Sequence, residues 1–314
     1  MGDRIFFNII QALTVLSLSP LVKGILNRLK ERVQSRQGPT IWQPYRDLWK
    51  LLCKDEVVSD QSTWIFRATP YVVFSMPLFV TLLIPALTDY PLFFAFMSDM
   101  LGAGFLLAFG GFFAALAAVD TTNPYGPMGA SRTRMVGFLA EPVFMVIFFT
   151  ISFVAGSTIP YIVQQQWVTP LSNFFEPAHV LLMIAFLMLL LAETGRIPID
   201  SSSGHFELAM IDESKALEYS GRGAALMQWG GAMKFMVLQL VFVNVLVTPW
   251  GLATRPALGA VLLAIPLVLL KIVALLLVLT AIESSLAKLR LFRITEFLGA
   301  AFVIATIAMI TRIF

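Results

Sequence analysis

Charge is what this sequence has least of. Asp, Glu, Lys and Arg together make up 13% of its 314 residues, against roughly 25% in a soluble globule. Apolar residues make up 58% and the mean hydropathy is +0.82, which excludes an ordinary water-soluble domain. Cysteine is nearly absent. Cys53 stands alone, which excludes an internal disulfide, an iron–sulfur cluster or a cysteine-built zinc site, and it reads as an inert thiol. His179 and His205 are the only histidines, too few for a buried haem or di-metal site in this chain. Phosphate loops, dinucleotide fingerprints, nucleophile elbows and metal-ligand clusters are also missing, so no catalytic residue and no metal ligand is assigned. No internal repeat is visible, which weighs against an inverted-repeat transporter. No low-complexity linker divides residues 1–314, which read as a single membrane domain. The first apolar run follows Met1-Gly2-Asp3-Arg4 without a small-residue cleavage site, so it is expected to stay as a helix.

Long apolar runs take the place of charge. A run near 20 residues matches a hydrocarbon core of about 30 Å. About eight are present, at 5–26, 68–88, 101–119, 133–155, 178–193, 232–249, 257–282 and 297–313. The chain therefore reads as an all-α, polytopic integral membrane protein. The first run is interrupted by Pro20 and Lys23 and the fifth is short, which leaves seven or nine helices as alternatives. Lys and Arg are unevenly shared between the loops. Those after the first, third, fifth and seventh runs hold Arg28, Lys30, Arg32, Arg36, Arg46, Lys50, Lys54 and Arg67, then Arg132 and Arg134, then Arg196, Lys215 and Arg222, then Lys288, Arg290 and Arg293. The other side shows Arg4, Arg255 and Arg312. The positive-inside rule puts the basic loops in the cytoplasm and both termini outside. The pI near 9.1 then follows from topology and anionic headgroups, and calls for no nucleic acid.

The first basic loop has structure of its own. In residues 41–52, Tyr45, Leu48, Trp49 and Leu52 fall at helical spacing, with Arg46, Asp47 and Lys50 elsewhere on the wheel. This predicts an amphipathic helix lying on the membrane interface, or one packed beneath neighbouring loops.

Isolated charges at membrane depth are costly and usually have a partner and a task. Glu193 closes the fifth run, and Arg196 lies three residues on, where a continuing helix would bring the two to one face. Pro198 then breaks the pattern. Glu141 lies inside the fourth run just before Pro142, which should loosen the helix. Lys271 sits near the middle of the seventh run and Glu283 closes it. Glu207, Asp212, Glu213 and Glu218 follow in a basic loop, where Asp212 and Glu213 read as solvated charges, and Asp120 as a helix terminator. The buried groups read either as a chain of proton carriers or as ion pairs that pin helices together.

Several spaced segments together carry a resemblance. Residues 192–200 (Ala-Glu-Thr-Gly-Arg-Ile-Pro-Ile-Asp), then Glu207-Leu208 and Glu218-Tyr219-Ser220, resemble the signature of the respiratory complex I subunit 1 family. Gln37-Gly38-Pro39, Gln43-Pro44, Asp47 and Lys50-Leu51 resemble its first loop, and Lys271 with Lys288-x-Arg290 its penultimate helix and final loop. The similarity spans residues 30–298. Three features are similar to the wing of the family found in energy-converting group 4 [NiFe] hydrogenases, including formate hydrogenlyase and hydrogenase-4, rather than to the quinone-reducing wing. Only Thr40-Ile41-Trp42 separates Gly38-Pro39 from Gln43-Pro44; Tyr45-Arg46-Asp47 has the hydrogenase form; and Glu283 stands where quinone enzymes tend to carry arginine. Ser203 and His205 depart from the glutamates of the quinone wing, and the segment from Asp200 to Glu218 is slightly longer than in either wing.

The resemblance implies an inner-membrane subunit that anchors a redox arm and couples it to proton movement, with no complete active site of its own. The nickel–iron site and iron–sulfur clusters would belong to the hydrogenase large, small and iron–sulfur subunits, with antiporter-like membrane subunits alongside. Glu141, Glu193, Arg196, Asp200, Glu207, Glu218, Lys271 and Glu283 would serve proton coupling. Gly38, Pro39, Gln43, Asp47, Lys50, Tyr219, Lys288 and Arg290 would form the docking loops. The rivals are a quinone-site subunit of a complex I relative and a stand-alone ion transporter.

Overall fold

The structure, a computed structural model, describes residues 2–121, 123–168, 176–200, 211 and 213–313. The α-helices run α1 (Gly2–Val33), α2 (Gln43–Leu52), α3 (Trp64–Leu83), α4 (Met100–Val119), α5 (Tyr125–Ala155), α6 (Pro160–Val168), α7 (Pro177–Glu193), α8 (Gly221–Val241), α9 (Leu258–Ser285) and α10 (Arg293–Ile313), with a π-helical turn, Phe242–Val247, extending α8. Seven are long and apolar enough to cross a membrane, and α7 adds a shorter apolar helix of 17 residues. At 1.5 Å per residue α7 spans about 26 Å, close to the hydrocarbon thickness. Each of the eight apolar runs thus holds one of these helices.

Their ends are where the expectation fails. Helix α1 continues to Val33, α5 begins at Tyr125 and α8 at Gly221. Arg28, Lys30, Arg32, Arg132, Arg134 and Arg222, expected in loops, are therefore helical. Hydropathy marks only the stretch that meets hydrocarbon, while the backbone goes on satisfying its own hydrogen bonds past that boundary.

Prolines do not interrupt these helices, and the reason is visible. A proline inside a helix leaves the carbonyl four residues earlier without its usual donor. For Pro20 that carbonyl is Leu16 O, which accepts the Trp229 indole N–H at 3.0 Å. For Pro70 it is Phe66 O, which accepts the Tyr219 hydroxyl at 3.0 Å. Helix α5 likewise continues through Pro142.

Helix α8 with its π turn is the centre of the bundle. In its most apolar 18-residue window 83% of residues are buried, against 28–44% for the other six long helices. Helices α1 and α3 pack against it, α4 packs on α3, α5 on α4, and α10 on both α5 and α7.

At the end opposite the basic loops, buried amides hold irregular backbone. The Gln11 amide donates to Thr81 O (2.5 Å) and Ile84 O (2.9 Å), and the Asn244 amide to Pro85 O (3.0 Å) and Ala86 O (3.1 Å). Gln164 donates to Pro249 O at 2.7 Å, and His179 Nε2 lies 2.8 Å from Leu246 O. Each serves backbone where a helix has ended or loosened, as a low-dielectric interior demands.

Candidate functional site

The site lies at the end that carries the basic loops, and it starts from how α7 stops. Gly195 has a left-handed φ of 57°. The Arg196 N–H reaches back to Leu191 O (3.0 Å) and the Gly195 N–H to Ala192 O (3.2 Å). This is the glycine-centred C-terminal cap that closes many helices. The helix therefore ends at Glu193, before Pro198, and Arg196 is not carried round onto the face of Glu193.

Each member of that expected pair instead meets a distant partner. Glu193 Oε2 is 2.7 Å from Lys234 Nζ of α8. Arg196 lies 3.9 Å from Glu283 of α9 and over the Phe235 ring, 4.6 Å from its centroid. Glu283 also pairs with Lys30 from the end of α1. One buried carboxylate thus joins α1, α9 and the segment after α7. Asp200, 3% exposed, makes a second junction. Its Oδ1 is 2.8 Å from Lys288 Nζ, and its Oδ2 accepts the Ile211 N–H at 2.9 Å. The Leu289 N–H donates to Pro198 O at 2.8 Å, tying the same two loops by backbone.

Beside these pairs is a cavity of about 640 Å³, whose walls include Lys23, Asp47, Met76, Glu193, Arg196, Asp200, Tyr219, Lys234 and Phe235. Helix α2 forms one wall. Its Leu48 is buried, its Asp47 accepts from the Gln43 amide at 2.9 Å, and its Tyr45 hydroxyl donates to Ser17 O. Burial raises the Tyr45 hydroxyl pKa above its ordinary value of 10.0, opposed by the backbone at Leu21. Trp49, expected on the apolar face, is 72% exposed. The inward face is Tyr45, Leu48 and Leu52, and Trp42 and Trp49 project outward with Lys50.

Two smaller spaces adjoin. One of about 60 Å³ is lined by Arg134, Glu141, Glu193, Asp200, Lys215 and Lys234, among others. One of about 30 Å³ is lined by both Glu141 and Glu193 with apolar side chains of α4 and α5. A water molecule needs roughly 10–15 Å³ and polar partners, and the first space supplies both. Glu141, 37% exposed at its side chain, lies 3.6 Å from Arg134.

The structure therefore brings Glu141, Glu193, Arg196 and Asp200 to the walls of these adjoining spaces, with Glu283 paired to Arg196, and leaves other expected members apart. Lys271 donates to the carbonyls of Thr248 (2.8 Å) and Trp250, where α8 has unwound. Glu218 is exposed and accepts from the Asn123 amide at 2.7 Å. Glu207, with Ser203, His205 and Asp212, lies outside the described residues. Of the docking set, Pro39, Lys50, Lys288 and Arg290 are exposed. Gly38 is pressed on α1, where a Cβ would lie 2.7 Å from Glu31 Cβ. Tyr219 is buried, stacked on Phe66 with ring centroids 4.1 Å apart, and burial raises its hydroxyl pKa. Sequence reasoning passed over Lys234 and treated Lys30 only as a loop cation. A lone lysine within an apolar helix was the available signal for Lys234. Among the described residues no group of three or more His, Cys, Asp or Glu is placed to hold a metal ion.

Such a bundle, with seven helices long and apolar enough to cross a membrane and with ion-paired charges and a chamber at one end, defines a polytopic membrane protein. The chain belongs to the NADH dehydrogenase family, whose family model matches residues 7–314. It is 34% identical over 309 residues to formate hydrogenlyase subunit 4 of Escherichia coli (strain K12), covering 98% of each chain. It is 33% identical over 314 residues to hydrogenase-4 component C of the same strain, covering 98% of this chain and 96% of that one. In fold, the chain matches one in the membrane-bound sulfane sulfur reductase, an archaeal respiratory membrane complex, with a TM-score of 0.85 and 99% of each chain covered at 20% identity. The resemblance read from the motifs, to the complex I subunit 1 family and its hydrogenase members, is the family these comparisons return.

Proposed function

We propose that this chain is the inner-membrane subunit that anchors the redox arm of a group 4 [NiFe] hydrogenase of the formate hydrogenlyase or hydrogenase-4 type and couples electron transfer to proton movement. The nickel–iron and iron–sulfur centres belong to the large, small and iron–sulfur subunits, which dock on the basic loops at the cytoplasmic face. Antiporter-like membrane subunits lie alongside, and both termini face outward. The observation that carries the coupling role is the position of Glu193. It lines the large chamber and both smaller spaces that reach Glu141, and it is ion-paired to Lys234, which lines two of the three. A proton taken up on Glu193 cancels the charge that holds Lys234 and so alters the field on the path toward Glu141. Glu283 and Asp200 hold the chamber's walls together, and Lys271 braces the unwound end of α8 instead of carrying protons.

The test is Glu193→Gln in the intact complex in sealed membrane vesicles. The complex assembles and still forms hydrogen from reduced viologen, while the protons translocated per hydrogen fall. Unchanged translocation in a well-assembled variant would refute the coupling role.

One observation favours a second reading. A cavity of about 640 Å³ lies within the range of roughly 300–1,000 Å³ typical of small-molecule sites, so it has room for a quinone headgroup. Inhibitor-sensitive quinone reduction by the purified complex, or a co-purifying quinone, would select that reading.

A further inference from the structure

The large chamber and the 60 Å³ space beside Glu141 share a stretch of wall on α4, and at that place the helix carries a glycine. Gly111 lines both spaces. A Cβ built on it meets no atom within 4 Å. Its neighbours differ. A Cβ at Gly104 would run into the Phe144 ring, and one at Gly110 would touch Met76 at 3.6 Å. Packing thus explains the glycine at 104, leaves 110 in ordinary van der Waals contact, and makes no demand at all at 111. Glycine inside a helix costs about 1 kcal/mol relative to alanine, which leaves its presence at 111 without a structural return. What its missing side chain leaves open is the space itself. Glu193 and Lys234 line both sides of it, and Glu141 lines the far one.

We infer that Gly111 is the window between the chamber and the space that Glu193 and Glu141 share: the absence of a bulky side chain there keeps a water-sized passage open, and the size and polarity of whatever stands at 111 set whether water, and protons with it, cross from the chamber into that space. The inference rests on the coupling role proposed above. Gly111 acts as a positioning residue, through the water it admits. It touches no reacting group.

The test replaces Gly111 in the intact complex by Ala, Thr, Val and Leu, with Glu193→Gln in parallel. Gly111→Ala keeps translocation, because its Cβ meets nothing. Gly111→Leu puts four carbon atoms into the window, and translocation is lost while viologen-driven hydrogen formation continues. Thr and Val have nearly the same shape, so a packing effect would treat them alike; a wet passage retains more coupling with Gly111→Thr than with Gly111→Val. Equal effects of that pair, or full coupling with Gly111→Leu, would overturn the window. If Glu193→Gln loses coupling and Gly111→Leu keeps it, the window falls and the coupling role stands; if neither variant loses it, the coupling role itself falls. Should Gly111→Leu fail to assemble, the single exposed cysteine, Cys53, allows modification after assembly. Gly111→Cys in a Cys53→Ala background is treated with methyl methanethiosulfonate, with the Cys53→Ala complex as control for the partners' own thiols. Coupling lost on modification and restored by dithiothreitol supports the window. A thiol at 111 that does not react, or reacts without effect, overturns it.

Discussion

Glu283 offers the sharpest test of the ion-pair architecture. It is a single carboxylate, 4% exposed at its side chain, facing Lys30 (19% exposed) and Arg196 (8% exposed). Replacement by glutamine preserves shape and removes charge, leaving two cations that face one another with a neutral amide between them. Coulomb's law gives the scale. At the 3.9 Å separation of Arg196 and Glu283, an effective dielectric constant of 20 makes the attraction about 4 kcal/mol. Breaking a buried pair by removing one partner costs about 3–5 kcal/mol in measured cases, so the two routes agree. Against a net stability of roughly 5–15 kcal/mol, that is a large fraction.

The assay is thermal unfolding of the purified complex in mild detergent, read by tryptophan fluorescence, together with the yield of intact complex on a native gel. Glu283→Gln lowers both. Adding Lys30→Met removes one of the two stranded cations, and the double variant recovers part of the loss. That recovery separates a charge effect from a simple packing defect, because a packing defect would grow with the second substitution. A Glu283→Gln complex as stable as the wild type would refute the account of this junction, and so would a double variant that is weaker than the single one.

Two further outcomes follow from local geometry. Gly195→Ala forces a Cβ into the left-handed φ of 57° that ends α7 and lowers stability by about 1–2 kcal/mol; an unchanged melting temperature would show that something other than this cap stops the helix. Asp89, in the loop after α3, has one buried carboxyl oxygen, Oδ1, without a hydrogen-bond partner, and burial raises its pKa above 3.8. The folded state then holds the proton more tightly than the unfolded one, so the Asp89 contribution to stability falls as pH rises from about the unfolded value through the raised folded value. Asp89→Asn abolishes that slope and matches or exceeds the wild type at neutral pH, as melting curves across acidic to neutral buffers would show.

The apolar runs, the amphipathic helix at Gln43–Leu52 and the family were legible because each is written in local pattern: length against bilayer thickness, spacing against helical period, and a dense motif around Gly195. The partners of the buried charges were not legible. Nothing near Glu193 in sequence points to Lys234, and nothing near Glu283 points to Lys30 or Arg196; those pairings depend on which helices are neighbours. The Glu193 and Arg196 expectation failed because it extended a helix past Thr194-Gly195, although that glycine was itself the stop signal. Helix ends were misplaced for a related reason, since a run that has left hydrocarbon loses its hydropathy signal while keeping its backbone ladder.

The prolines show how an apparent local weakness carries long-range information. Each intramembrane proline leaves a carbonyl four residues back that hydrocarbon cannot solvate. For Pro20 in α1 the donor is Trp229 of α8, and for Pro70 in α3 it is Tyr219, two residues before α8 begins. For Pro77 the carbonyl is Val73 O, and what meets it is Gly230, where a Cβ would come within 2.6 Å of that oxygen. Thus α8 and its entry segment approach the exposed carbonyl at all three prolines of α1 and α3, by an indole, a phenol and a missing side chain. A helix with that task must lie against both α1 and α3 along its length, which is why α8 is the most buried of the long helices. It is also why Lys234, one turn beyond Gly230 on the same helix, is carried deep enough to meet Glu193.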